Sequence, residues 1–194
     1  MKHIIVIDFE TNGLDRVTNE FHELGSVLIS GKTLDVIDEF ETQVKMYHPE
    51  RSSTQAFSLS DITLDTVMKR TKTPEEGIKE FHEHYFGEGK LDVKDVHFAS
   101  WNITFDWMFF LRGYRKAGMN DVLYQFDHHQ IDLWTMYDIY RKLLGKTDYL
   151  YGVQQALREL GYEKEANEYS HRALDDCKKE ALVLQSVYKA IQNV

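Results

Sequence analysis

Apolar positions along this chain fall into two regimes, one strand-like and one helical. Residues 3–9 read as a continuous apolar strand running into Asp8, the pattern of a central strand covered on both faces. A second strand is expected at 23–30 (ELGSVLIS). Gly31-Lys32 then turns the chain into a third near 34–44, whose partial alternation leaves one face exposed. Residues 48–66 are polar and carry no clear period. From Thr73 the helical period takes over. Thr73-Pro74-Glu75-Glu76 combines a hydroxyl cap, a proline at the first position and acids in the first turn, and Ile78, Phe81 and Tyr85 follow on one face. DVHFAS (95–100) reads as a buried strand and 104–116 as a helix. A helix at 133–144 carries Leu133, Met136, Tyr137, Tyr140 and Leu144, and a shorter one covers 152–160. The last helix spaces Leu174, Cys177, Ala181, Leu184, Tyr188 and Ile191 by threes and fours.

A hairpin-led sheet followed by alternating helices and strands indicates a mixed-sheet α/β fold. No repeat or linker-like run divides the 194 residues, so a single domain over 1–194 is expected. The one cysteine, Cys177, excludes an internal disulfide and fits a reducing compartment. Only five apolar residues, counting Met1, precede Asp8, too few for a signal segment or a membrane span. The expectation is a cytoplasmic protein with no membrane partner. A formal net charge of −9 argues against gripping nucleic acid through a broad basic face, though not against a site charged by metal ions.

Three carboxylate stations carry the candidate chemistry. In IDFETNG, Asp8 and Glu10 are two apart and face the same side of a strand. Two like charges held together need a proton or a cation between them. In SWNITFDWMFF, Asn102 ends a buried strand and Asp106 lies about one turn into the next helix, among Phe105, Trp107, Phe109 and Phe110. In SHRALDDC, His171 stands at the start of the final helix, with Asp175 and Asp176 in its first turns. Taken singly, each has a plainer reading: a strand end in water, a helix-start acid, a helix capped by Ser170. Together, hard oxygen ligands from several elements make a site for Mg²⁺ or Mn²⁺, with a histidine beside it as a general base. That set suits two-metal phosphodiester hydrolysis.

These residues resemble the DEDD family of 3′→5′ exonucleases, histidine subtype, which includes the proofreading subunit of bacterial replicative polymerase. Asp8-Phe9-Glu10-Thr11-Asn12-Gly13-Leu14 matches the first motif, D-x-E-T/A-T-G-L/M, apart from Asn12. Trp101-Asn102-Ile103-Thr104-Phe105-Asp106 matches H-N-x-x-F-D with tryptophan in place of the leading histidine. His171, Ala173 and Asp176 meet H-x-A-x-x-D, and this spacing selects Asp176 over Asp175. ELGSVLIS, LSDITLDTV and QIDLW extend the likeness over nearly the whole chain.

The resemblance implies a ribonuclease H-like three-layer fold, a mixed five-stranded sheet flanked by helices. It implies two divalent ions, Mg²⁺ or Mn²⁺, on Asp8, Glu10, Asp106 and Asp176, with His171 deprotonating the attacking water. It places Thr11, Leu14 and Phe105 against the terminal nucleotide, with Asn102 nearby; Trp101 either stacks where the family has histidine or fills core. The implied activity is release of nucleoside monophosphates from the 3′ end of single-stranded DNA. The alternatives are an exoribonuclease or oligonucleotide-trimming enzyme, and a catalytically silent scaffold of the same fold. The acidic charge leads us to expect weak, short-footprint binding dominated by the metal site. Arg112, Arg115 and Lys116 read as a solvated face rather than phosphate contacts. A polymerase or other protein partner is left open, with a free-standing enzyme expected. GKT at 145–147 lacks the earlier glycine of a phosphate loop, and His128-His129 reads as solvated loop.

Overall fold

The computed structural model describes residues 2–58, 62–168 and 171–192. Strands β1 (His3–Thr11), β2 (Phe21–Ile29), β3 (Val36–Gln43), β4 (Val96–Ser100) and β5 (Ile131–Asp132) form one five-stranded sheet in the order β3-β2-β1-β4-β5. The β1–β2 and β2–β3 pairs are antiparallel; β1–β4 and β4–β5 are parallel. The helices are α1 (Leu64–Met68), α2 (Pro74–Phe86), α3 (Ile103–Lys116), α4 (Asn120–Leu123), α5 (Leu133–Leu143), α6 (Val153–Glu159), α7 (Glu163–Asn167) and α8 (Ala173–Gln192). The sheet lies between helical layers, as the resemblance implied.

Alternation along β1 sorts its side chains between those layers. Ile5, Ile7 and Phe9 pack with Ile78 and Phe81 of α2 and Phe109 and Phe110 of α3. Ile4 and Val6 face the other way, against Cys177, Ala181 and Leu184 of α8. Asp8 and Glu10 continue that second series, so the strand aims both acids at the start of α8. The apolar run thus does two jobs: it makes β1 central, and its period fixes which helix the acids meet.

The helix start at Thr73 forms as expected. The Thr73 hydroxyl accepts from the Glu76 backbone N–H, and the Glu76 carboxylate accepts from the Thr73 N–H at 2.7 Å, a capping box. Other elements differ from the sequence expectation. β2 begins two residues earlier, because His22 and Glu23 are polar yet buried: the His22 ring stacks on Phe57, and Glu23 is paired to Arg70 and Arg172. β5 is two residues long, below what periodicity can register. Residues 48–66 hold a 3-10 turn at Pro49–Arg51 and the start of α1. α5 stops at Leu143, leaving Leu144 60% exposed, and Ile191 is likewise 60% exposed near the end of α8.

α8 buries more than one seam. Beyond Cys177, Ala181 and Leu184 against the sheet, Val183 and Val187 pack with Tyr137 of α5, Ala156 and Leu157 of α6 and Ala166 of α7. The helix is wedged between the sheet and an outer helical layer. Its first turn approaches β2 so closely that only a glycine fits at position 25, whose Cβ would fall 2.3 Å from the Ala173 carbonyl carbon. Among the described residues no helix is long and apolar enough to cross a membrane.

Candidate metal centre and nucleotide pocket

Three elements deliver the acids. β1 brings Asp8 and Glu10, the first turns of α3 bring Asp106, and α8 brings Asp176, with His171 two residues before that helix. Ligand atoms of Glu10, His171 and Asp176 all lie within 4.8 Å of one another. Asp8, Asp106 and Asp176 line a common cavity of about 230 Å³ with Trp101 and Asn102. The structure therefore brings together all five motif residues, and Asp175 stands outside the cluster.

Two of the acids are fixed by their surroundings. The Phe9 backbone N–H donates to Asp106 Oδ1 at 3.1 Å and the Ser100 hydroxyl donates to Oδ2 at 2.5 Å, so Asp106 is clamped between β1 and the end of β4. Lys179 Nζ lies 2.8 Å from Asp176 Oδ1. His171 is tethered through its neighbour: Arg172 pairs with Glu23 at 3.0 Å and Glu41 at 2.7 Å, tying the entry to α8 onto β2 and β3. Asn12, which departs from the first motif, is fully buried and accepts the Glu20 N–H at 2.7 Å, pinning the loop after β1.

Electrostatics show what the cluster lacks. Burial, then the carboxylates of Asp106, Glu10, Glu180 and Asp176, hold the Asp8 carboxyl well above its ordinary range. Burial and Asp176 push Glu10 up to about 7, opposed by Arg172. Burial pushes Asp106 up to about 7 despite its two donors. Asp176 is raised by burial, with Lys179 opposing. Acids gathered in a low-dielectric cavity are stable in their charged form only with cations among them. The donor set is all carboxylate oxygen with one imidazole, which fits Mg²⁺ or Mn²⁺.

Beside the acids lies a second cavity, of about 440 Å³, lined by Glu10, Thr11, Leu14, Phe105 and His171 and closed on the far side by Ser53 and Gln55. Leu14 is 82% exposed at its rim, an apolar side chain left largely in water. Arg16 lies over the Phe105 ring, 5.8 Å from its centroid. Trp101 settles between the two expectations for it: half-buried against the cores on either side of α8, it also lines the acid cavity and the adjoining one shared with Asn102 and Trp134.

Some expectations are corrected. Asn102 does not end a buried strand; β4 stops at Ser100, and Asn102 is the exposed residue before α3. Arg112 is not a solvated helix charge, because its guanidinium donates to the backbone carbonyls of Arg16, Val17 and Asn19 and so holds the loop that carries Leu14. Arg115 and Lys116 are exposed, as expected. Ser170, the expected cap of the last helix, lies outside the described residues. His128 and His129 come together with Asp127, but that carboxylate is already held by Lys2 at 2.5 Å and by His129 at 2.8 Å.

The comparisons follow this geometry. Residues 5–184 match the model of the exonuclease family (RNase_T). The chain belongs to the exonuclease family. It is 28% identical over 180 residues to the PolC-type DNA polymerase III of Thermotoga maritima, covering 92% of this chain and 11% of that protein. It is also 28% identical over 118 residues to the PolC-type enzyme of Pediococcus pentosaceus, covering 61% of this chain and 7% of that protein. The chain thus spans about a tenth of the length of these relatives. Among solved structures, cell-death related nuclease 4 superposes with a TM-score of 0.76 at 13% identity, covering 98% of this chain and 64% of that one. The zinc-bound E. coli exonuclease I–single-stranded DNA complex superposes with a TM-score of 0.76 at 13% identity, covering 98% and 41%. At these identities the structures speak for the fold, which is that of the exonuclease family.

Sequence reading missed the residues that hold the motifs in place: Arg172, Glu23, Ser100, Lys179 and Glu180. For Glu180 a signal did exist. Asp176, Glu180, Val183 and Val187 are spaced four, three and four, a second apolar-facing series beside the seam that was read.

Proposed function

We propose that this chain is a divalent-metal-dependent exonuclease domain that removes nucleoside monophosphates from the 3′ end of single-stranded DNA, in the cytoplasm. The observation that carries this reading is the convergence of Glu10, His171 and Asp176 within 4.8 Å, beside a pocket walled by Thr11, Leu14 and Phe105. Its volume of about 440 Å³ falls within the range of small-ligand sites, about 300–1,000 Å³. The similarity to PolC-type DNA polymerases favours DNA over RNA.

Asp8, Glu10, Asp106 and Asp176 would hold the divalent ions, Mg²⁺ or Mn²⁺. When bound, the two ions polarise the scissile phosphate and make attacking water acidic. His171, beside Glu10 and Asp176, takes the proton from that water. The new P–O bond forms as the bond to the penultimate 3′ oxygen breaks, and that oxygen leaves with a proton from solvent. Phe105 and Leu14 receive the terminal nucleoside by apolar contact, which tolerates any base. Upstream nucleotides continue along the groove at Trp101, Asn102 and Trp134, where stacking supplies the grip that a charge of −9 denies.

The test uses 5′-labelled single-stranded DNA and RNA of one sequence with Mn²⁺ or Mg²⁺, against chelator and Asp8→Ala controls. A ladder shortening from the 3′ end of DNA, abolished by both controls, is the expected result. Faster loss of RNA would move the enzyme to the exoribonuclease class, and no shortening of either strand would leave the scaffold reading.

A further inference from the structure

Glu180 stands one helical turn beyond Asp176, on the same side of α8. It is 3% exposed and lines the acid cavity with Asp8, Asp106 and Asp176. The Trp101 backbone N–H points to its carboxylate, yet Oε2 is buried with no hydrogen-bond partner among the described residues. Leaving a carboxylate oxygen unpaired in a dry interior is costly, so a stable protein places something against it. Nothing in the four-carboxylate motif set accounts for this residue.

Lys179 supplies the reason for an extra acid. It is 4% exposed, and its ammonium lies 2.8 Å from Asp176 Oδ1. Four motif carboxylates alone balance two divalent ions. A buried lysine beside Asp176 offsets part of that negative charge, and Glu180 adds one further carboxylate to the same cavity. Glu180 lines the acid cavity together with Asp8, Asp106, His171 and Asp176, so it faces the same space as the motif acids.

We propose that Glu180 is a fifth carboxylate of the metal centre, which offsets Lys179 and supports bound divalent metal through its hydration shell. This rests on the metal-dependent reading above. The two can fail separately.

Mn²⁺ titration of the intact chain, followed by calorimetry and by the electron paramagnetic resonance of free Mn²⁺, tests it on wild type and Glu180→Gln. Glutamine keeps the shape and could replace a protonated glutamate without loss. The expected result is Mn²⁺ bound by wild type, with at least one site of Glu180→Gln weakened about 10–100-fold. Lys179→Met in the Glu180→Gln background should recover part of that loss, because it removes the cation that Glu180 balances. Metal-free Glu180→Gln should melt at or above the wild-type temperature, which shows that the loss is not misfolding. Mn²⁺ bound by Glu180→Gln at wild-type affinity at every site would overturn the inference and leave Glu180 a protonated structural acid. A wild type that binds no Mn²⁺ would overturn the metal-dependent reading itself.

Discussion

Gly25→Ala tests whether the docking of α8 sets the geometry of the site. Gly25 sits opposite Asp8 in the β1–β2 register, beneath the first turn of α8. A Cβ there would lie 2.3 Å from the Ala173 carbonyl carbon, 2.3 Å from the Leu174 nitrogen and 2.6 Å from the Ala173 oxygen. All three are backbone atoms and cannot swing aside as a side chain would. Restoring ordinary contact requires the first turn of α8 to lift by about 1 Å, because a close-packed interior offers no slack. Overpacking of this kind costs about 1–3 kcal/mol of stability. The larger effect falls on chemistry: the lift carries His171 and Asp176 away from Glu10, and a misplacement of about 1 Å costs on the order of 100-fold in rate. The assay is hydrolysis of the p-nitrophenyl ester of thymidine 5′-monophosphate with saturating Mn²⁺, beside urea unfolding. Leu184→Ala is the control, since it empties a fully buried position further along the same helix at a cost of about 2–5 kcal/mol without touching the Gly25 contact. Gly25→Ala should lose about 100-fold in kcat while Leu184→Ala, assayed where it is folded, stays within a few-fold. Wild-type kcat in Gly25→Ala, or an equal loss in both, would refute the reasoning.

His22 is buried on Phe57, and burial, then Arg70 and Arg172, push its pKa from 6.5 down to about 3. The unfolded chain therefore binds the proton that the fold refuses. Stability is complete above pH 6.5 and is lost as pH falls from there towards 3, by about 1.4 kcal/mol per pH unit. His22→Phe keeps the stack and should remove about 2 kcal/mol of the fall between pH 7 and 5 in urea melts; an unchanged slope would sink the assignment. Trp134→Ala should raise KM for a 12-nucleotide single strand several-fold while leaving turnover of the nitrophenyl ester unchanged, since base–aromatic stacking contributes about 1–3 kcal/mol. Equal KM for both proteins on the long strand would place upstream nucleotides elsewhere.

The motif acids were legible in the sequence because strand and helix periods are short-range properties. Two residues apart on β1 must mean one face, and that face turned out to be the one packed on α8. What the sequence hid is contact between distant segments. Arg172 secures His171 by reaching Glu23 and Glu41 on strands more than 130 positions earlier, and nothing local marks that pairing. Arg112 looked like a surface charge because its helical period faces outward, yet the loop after β1 folds over it and supplies three carbonyl acceptors. The start of β2 was hidden for the same reason: His22 is polar, yet it is buried with its ring stacked on Phe57 from a distant segment.

The charge of the chain can now be placed rather than only counted. An acidic protein that acts on a polyanion would work against itself if −9 were spread evenly over the surface. Here a part of that charge is gathered in one cluster, on Asp8, Glu10, Asp106, Asp176 and Glu180, where burial and mutual repulsion favour protons or cations. Loading divalent ions converts that spot from the most repulsive point for a phosphate into the most attractive one. In the proposed reading the terminal nucleoside meets Leu14 and Phe105 and upstream bases meet Trp101 and Trp134, contacts that do not depend on charge. Binding should then depend steeply on divalent metal and weakly on monovalent salt, the reverse of a protein that grips through lysines and arginines. A metal-free protein whose affinity for a 12-nucleotide strand matched that of the Mn²⁺-loaded protein in the non-hydrolysing Asp106→Asn variant would contradict this division of labour.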